Sequence, residues 1–480
     1  MAASRDFLLV TAARILTALI GIATIRIATT MLAPAQYGEL SIFVAIQSLC
    51  GLFLVNPVGQ HINRHTHQWW DDGTMLTRLS SYRRYIFAIA MIGTTIVYCI
   101  VAQPTAAQAL FAALTMFAML NAATWNLTSI SILNMLGFRV SALAWGVLTA
   151  ILASLASLIF VSLQHSATAW FCGQAVGMAL GALGSGRSLR KFAAHTSRTD
   201  HTVALLDRET IISYCLPLAV ATGLMWLQLS GYRFVIRAYW GVEVLGYAAV
   251  GLLLAGQVWS IAETLAQQYL YPLFYRRISQ ADPFATQIAM SDLLNFLGPL
   301  YLVLTSATFL AAPYILKSLA SSSYEGAEIF VRYGMAIECC RVLSNLLSNA
   351  AQATKKTRSM ALPYAVGAIA SIVPMVVVGV LGLSINWAGT VLLLAAVVTL
   401  LAMGFAMHQQ VAFKLDLKRW AVALGILIPS FVPAFWLAYP KTWQQTVCVL
   451  IIIILAGGII VWQMIWKNAA LGRFVAAKLH

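Results

Sequence analysis

VSALAWGVLTAILASLASLIFVSLQ, residues 140–164, is followed after two residues by ATAWFCGQAVGMALGALGSGR, residues 167–187. No charge interrupts either run until Arg187. About 20 apolar residues in a helix cross a hydrocarbon core. The His165-Ser166 link is too short for anything but a tight turn. The pair therefore reads as a transmembrane helical hairpin, entering beside Arg139 and leaving at Arg187.

The same reading extends over the whole chain. Apolar spans are expected at 7–32, 39–60, 84–102, 106–130, 140–164, 167–187, 209–236, 244–269, 289–311, 330–352, 361–383, 387–408, 418–438 and 445–466. Composition agrees: 61% of residues are hydrophobic and 9% charged, where a soluble domain carries about a quarter charged. The predicted fold class is all-α, a polytopic membrane protein of about 14 helices.

Basic residues alternate between the gaps. Arg5, Arg64, Arg78, Arg83, Arg84, Arg139, the 187–208 segment, Arg276, Arg277, the 355–358 segment, Lys414, Lys418, Arg419 and the 467–478 tail lie on one side. The opposite gaps hold mainly Lys317 and Lys441. Positive charge stays cytoplasmic, so both termini are expected inside. The net charge of +15 is thus a topology signal rather than the footprint of a nucleic-acid partner. Trp69, Trp70, Trp240, Trp387, Trp420, Trp443 and Trp466 fall near span ends, at headgroup level. Arg14 interrupts the first apolar run, which continues past any cleavage site, so this segment reads as a retained helix rather than a signal peptide. The seven Cys lie in or beside spans without metal-site or disulfide spacing.

The chain also carries a duplication. Gly38 matches Gly246, 208 residues on; Asn126, Leu127, Ser129, Arg139, Ala142 and Leu143 match Asn345, Leu346, Ser348, Arg358, Ala361 and Leu362, 219 residues on. Two six-span halves with one orientation imply a pseudo-two-fold axis along the membrane normal. The expected organisation is 1–208 for the first half, 209–417 for the second, and 418–480 for spans 13 and 14 with a basic tail. Gly173, Gly177 and Gly181 form a small-residue row for close packing within the bundle. Pro217 and Pro374 are expected to kink or weaken spans 7 and 11. There is no phosphate loop and no long outer loop. ATP hydrolysis by this chain is excluded, and the chain reads as a transporter rather than an enzyme.

Charge inside a membrane costs about 2.5–3.5 kcal/mol per residue on insertion scales and marks function by default. The candidates are Arg14 and Arg26 in span 1, Arg64 at the inner end of span 2, Arg233 in span 7, Glu263 in span 8, and Glu338 with Arg341 in span 10. No mid-span cation is Lys. Arg binds paired oxygens bidentately and stays charged, which suits a pyrophosphate. Arg26 and Arg233 occupy equivalent depths in the repeat. Arg14, Arg26 and Arg64 also lie near enough to span ends to snorkel. Glu338 and Arg341, at i and i+3, read as an ion pair, with gating second. Glu263 stands as an isolated acid, open to a proton or cation role or to an Arg-paired structural one. His61, His65 and His67 read as an interfacial cluster, not a metal site. Asn126 and Asn345 read as interhelical hydrogen-bonding residues.

The segment Pro217-Leu218, Ser230-Gly231-Tyr232-Arg233-Phe234-Val235-Ile236 and Gly241-Val242-Glu243-Val244-Leu245-Gly246-Tyr247 resembles spans 7 and 8 of the bacterial polysaccharide flippases, the Wzx-type O-antigen and exopolysaccharide transporters. Their superfamily, the multidrug/oligosaccharidyl-lipid/polysaccharide (MOP) exporters, also holds the lipid II flippases and the multidrug and toxin extrusion (MATE) exporters. Leu32-Ala33-Pro34-Ala35-Gln36-Tyr37-Gly38 looks like the matching first-half motif, and Tyr271-Pro272-Leu273-Phe274 like the end of span 8. The resemblance implies two lobes that alternate access to a central cationic cavity in a bacterial inner membrane. It implies an undecaprenyl-pyrophosphate-linked oligosaccharide as substrate, membrane lipids and a glycan polymerase complex as partners, no bound cofactor, and H+ or Na+ coupling. The family commonly has Asp before the span 7 Arg; here that residue is Tyr232, and span 1 has no Asp. The alternatives are a multidrug or other lipid exporter, a membrane glycan polymerase or ligase, and a non-transporting scaffold.

Overall fold

A computed structural model describes residues 2–101, 104–193, 208–278, 283–354, 356–436, 439–440 and 442–466. Every regular element among them is helical. The elements are α1 (Ala2–Met31), α2 (Pro34–Asp71), α3 (Met75–Ile100), α4 (Ala106–Met135), α5 (Arg139–Leu163) and α6 (Ala167–Ala193). Then come α7 (Arg208–Ser230, resumed after Gly231 as Tyr232–Trp240), α8 (Val242–Tyr269, resumed as Tyr271–Ile278) and α9 (Pro283–Leu319). The last are α10 (Glu328–Ala353), α11 (Ala361–Val380), α12 (Asn386–His408), α13 (Leu417–Trp436) and α14 (Trp443–Trp466). Each of the fourteen expected spans overlaps one of these helices, the ends of two, 102 and 437–438, lying outside the described residues. Eleven segments are long and apolar enough to cross a membrane by length and composition. The α6, α10 and α13 segments are not among those eleven; basic residues end α6 and begin α13, and the acids and arginines of α10 are intramembrane candidates.

The chain forms two compact units, residues 1–234 and 235–480. The division expected from the repeat lies at 208/209, whereas packing places most of α7 with the first unit. The two divisions differ by one helix because a repeat records sequence correspondence and a unit records contact. Residues Arg208–Ser230 lie against α2. Trp226 Nε1 donates to the Ala45 carbonyl at 3.0 Å, and Thr222 Oγ1 to the Leu52 carbonyl at 2.7 Å.

That Leu52 carbonyl is available because α2 widens to a π-helical turn over Cys50–Val55. Pro57 has no N–H and its ring crowds the carbonyl four residues back, so the turn before it loses its α-helical ladder. Side chains satisfy the freed oxygens: Thr222 takes Leu52, and Tyr85 Oη donates to Leu54 at 2.8 Å.

Elsewhere in the first unit, α5 and α6 pack most closely. A Cβ on Gly177 would stand 2.2 Å from Ala153 Cα, and one on Gly173 2.4 Å from Ser157 Cα. The glycine row therefore serves packing inside the bundle. Asn126 of α4 ties three helices: its Nδ2 donates to Thr149 Oγ1 of α5 at 3.2 Å, and its Oδ1 accepts from Ser185 Oγ of α6 at 2.9 Å. The α1 helix rests on α5, with Thr24 and Ser154 hydroxyls 2.7 Å apart.

In the second unit, α8 and α10 approach through glycine as well. A Cβ on Gly251 would meet Phe330 Cβ at 2.6 Å, and one on Gly334 would meet Ala255 Cβ at 2.7 Å. The α13 and α14 helices lean on α9. Trp420 packs over Gly298, and its indole nitrogen donates to Asn295 Oδ1 at 3.2 Å. Pro217 and Pro374 sit inside uninterrupted helical segments; the break in α7 falls at Gly231.

Candidate functional site

Glu263, Glu338 and Arg341 meet in the second unit. Arg341 Nη2 lies 3.1 Å from Glu263 Oε2, and its Nε lies 2.6 Å from Glu338 Oε2. One guanidinium thus serves two carboxylates from two helices. All three are mostly buried, with side chains 25%, 13% and 17% exposed for Arg341, Glu263 and Glu338. Asn345, one turn beyond Arg341, donates Nδ2 to Glu263 Oε1 at 2.8 Å. The i, i+3 spacing makes the Glu338–Arg341 pair local; only the close α8–α10 packing adds Glu263. Glu263 is therefore not isolated, because helix contact supplies a cation that its own span lacks.

A second polar group lies on the same two helices. Tyr275 Oη contacts Asn349 Oδ1 at 2.8 Å and Gln352 Oε1 at 2.6 Å. These residues carry no charge, which is why a search for intramembrane charge passes over them. The ion pairs Arg332–Glu328 and Arg277–Asp292 carry charge but sit near span ends, where a charged residue is not a sign of function.

Arg233 lies in the first unit, two residues after the α7 break. Its Nη1 is 3.4 Å from the Ser41 carbonyl of α2, and its Nε is 3.4 Å from Tyr232 Oη. Its guanidinium stands 5.8 Å from the Tyr232 ring centroid. Tyr232 is buried and Arg233 half-buried. Among the described residues no carboxylate pairs with Arg233. Its partners are a carbonyl and a phenol, both neutral and both at long hydrogen-bond distance. The charge is held in place but not neutralised.

Arg26 is half-buried on α1, one turn from Thr30, whose hydroxyl donates to the Arg26 carbonyl at 2.8 Å. Its helix and α7 both border α2. Arg64 is exposed on the C-terminal half of α2. The Arg14 side chain lies outside the described residues. The rings of His61, His65 and Trp69 stack along one face of α2, with the His centroids 4.3 Å apart. Among the described residues no group of three or more metal-ligating side chains forms.

No family model matches the chain, and no curated protein matches it in sequence. Solved structures do share its fold. The lipid II flippase MurJ, in an inward closed conformation, aligns over 96% of this chain and 99% of its own, with a TM-score of 0.62 at 12% identity. An inward-facing multidrug resistance MATE family transporter of the MOP superfamily aligns over 82% of this chain and 95% of its own, at TM-score 0.56 and 15% identity. An outward-facing MATE structure aligns over 83% and 93%, at TM-score 0.51 and 12% identity. The chain shares the all-α fold of these transporter structures.

Proposed function

We propose that this chain is a flippase. It moves an oligosaccharide linked to undecaprenyl pyrophosphate from the inner to the outer leaflet of a bacterial cytoplasmic membrane by alternating access. The carrying observation is Arg233: a half-buried cation on an interrupted helix, held by neutral groups. A buried charge is costly unless paired, so the position is poised for an anion from outside the protein. A pyrophosphate offers paired oxygens that a guanidinium binds bidentately. Arg26, on a helix that borders the same α2, is the second proposed contact. Arg64 and Arg14 are proposed to guide the headgroup from the basic end. Extensive fold overlap with a lipid II flippase supports the reading. A drug/proton antiporter would want an Asp within span 1, and residues 7–32 hold none.

In this proposal the Glu263–Arg341–Glu338 group senses H+ or Na+. With both acids ionised it carries one uncompensated negative charge, which a proton or cation neutralises. The test is glycan export in a strain lacking its own transporter. Arg233→Ala should abolish export at normal membrane levels, and Arg233→Lys should restore it only in part, since Lys lacks the planar fork. Normal export by Arg233→Ala would remove the observation on which the reading stands.

A further inference from the structure

The first unit has a second cationic place, far from Arg233 in sequence. A cleft of about 640 Å³ opens between α3, α4 and α6. Arg83 of α3 and Arg187 and Arg190 of α6 line its basic end, with Trp125 and Asn121 of α4 behind them. The Arg83 guanidinium stacks 4.0 Å from the Trp125 ring centroid. Trp125 can lie so deep because Gly186 faces it: a Cβ there would be 2.7 Å from its Nε1. No acidic residue lines the cleft. Among the described residues no carboxylate pairs with any of the three arginines.

The other end of the cleft is apolar. Phe87 lies one turn beyond Arg83 on α3, and Leu183 one turn before Arg187 on α6. Residues four apart share a helix face, so each of these arginines has an apolar neighbour further along the helix, away from the basic end. Phe87 and Leu183 are each 54% exposed. Arg83 is the ninth residue of α3 and Arg187 the seventh from the end of α6, roughly 10 Å inside the helix ends at 1.5 Å per residue. In a bilayer of about 40–45 Å including its headgroups, helices of 26 and 27 residues would put that level near the lipid phosphates and the first acyl carbons.

We propose that this cleft binds a phospholipid with an anionic headgroup from the cytoplasmic leaflet. The phosphate sits among Arg83, Arg187 and Arg190, and an acyl chain runs along Phe87 and Leu183. Charge complementarity selects an anion, and the exposed apolar half selects a lipid over a soluble phosphate. The site does not depend on what the protein transports.

The experiment is native mass spectrometry of the full-length protein in detergent with added phosphatidylglycerol, phosphatidylcholine of the same acyl chains, or glycerol 3-phosphate. Wild type should retain phosphatidylglycerol at least tenfold more tightly than phosphatidylcholine. Arg83→Gln/Arg187→Gln/Arg190→Gln should lose that preference. Arg358→Gln/Lys414→Gln/Lys418→Gln, which removes three exposed cations elsewhere, should keep it. Gly186→Leu should weaken retention at unchanged charge by filling the cleft. The proposal is overturned if glycerol 3-phosphate displaces the lipid at comparable concentration. Equal loss in both triple variants, or full binding by Gly186→Leu, would overturn it too. The wild-type competition arm stands even if a variant does not fold.

Discussion

Arg341→Met tests how the second unit holds its buried charge. Arg341 is the cation for both Glu263 and Glu338, at 3.1 and 2.6 Å. Its loss strands two carboxylates that the fold keeps from water. Removing one partner of a buried pair costs about 3–5 kcal/mol. The three side chains retain 13–25% exposure, so the lower end, about 3 kcal/mol, is expected. Glu263→Gln behaves differently. It leaves the 2.6 Å Glu338–Arg341 pair neutral as a unit, and the Gln oxygen still accepts from Asn345. The lost charge-assisted bond, about 1.5–3 kcal/mol, is then offset by removal of the excess negative charge, leaving a small net cost. The double variant Arg341→Met/Glu263→Gln strands one carboxylate rather than two and should recover at least about 1 kcal/mol over Arg341→Met, following double-mutant logic. Thermal unfolding in detergent, read by fluorescence, ranks the three proteins. At roughly 2–4 °C per kcal/mol for a unit of this size, Arg341→Met should melt on the order of 6 °C or more below wild type. Melting of Arg341→Met with wild type, or Glu263→Gln as unstable as Arg341→Met, would refute the shared-cation account.

Other outcomes are checked more briefly. Gly177→Ala places a Cβ 2.2 Å from Ala153 Cα and should cost about 1–3 kcal/mol by overpacking, whereas Gly146→Ala, with nothing within 4 Å of its Cβ, should leave thermal stability unchanged or raise it by up to about 1 kcal/mol; equal effects would sink the close-packing argument. Thr222→Val strips the Leu52 carbonyl of the π-turn of its side-chain donor and should lower stability by about 1 kcal/mol, again read by melting. In the proposed coupling role, Glu263→Gln should shift the pH or sodium dependence of export at normal protein levels, and an unchanged dependence removes Glu263 from the mechanism. With the native cysteines replaced, single Cys at positions 196 and 480 should react with impermeant reagent only from the cytoplasm and one at exposed Ser323 only from outside; labelling of 196 or 480 from outside contradicts the topology drawn from the Lys and Arg bias.

The sequence by itself determined the helices. A bilayer demands about 20 apolar residues with backbone groups satisfied internally, so fourteen predominantly apolar runs already name fourteen helices. The basic gaps name an expected sidedness for the same reason. The Gly173, Gly177 and Gly181 row was legible because small residues at i, i+4 spacing have one common use between helices. The Glu338–Arg341 pair was legible because three residues apart on a helix are neighbours whatever the fold. Tertiary structure alone decided what crosses between helices. Glu263 and Arg341 are 78 residues apart, and no period in either span says that α8 and α10 meet at Gly251 and Gly334. Asn126 and Asn345 correspond in the repeat, yet one ties three helices and the other orients Glu263, because their neighbours differ. The π-turn before Pro57 and the Arg83, Arg187 and Arg190 cleft were hidden for the same reason. Hydropathy is read along one helix at a time, while a charge-lined space is made by the side chains of three.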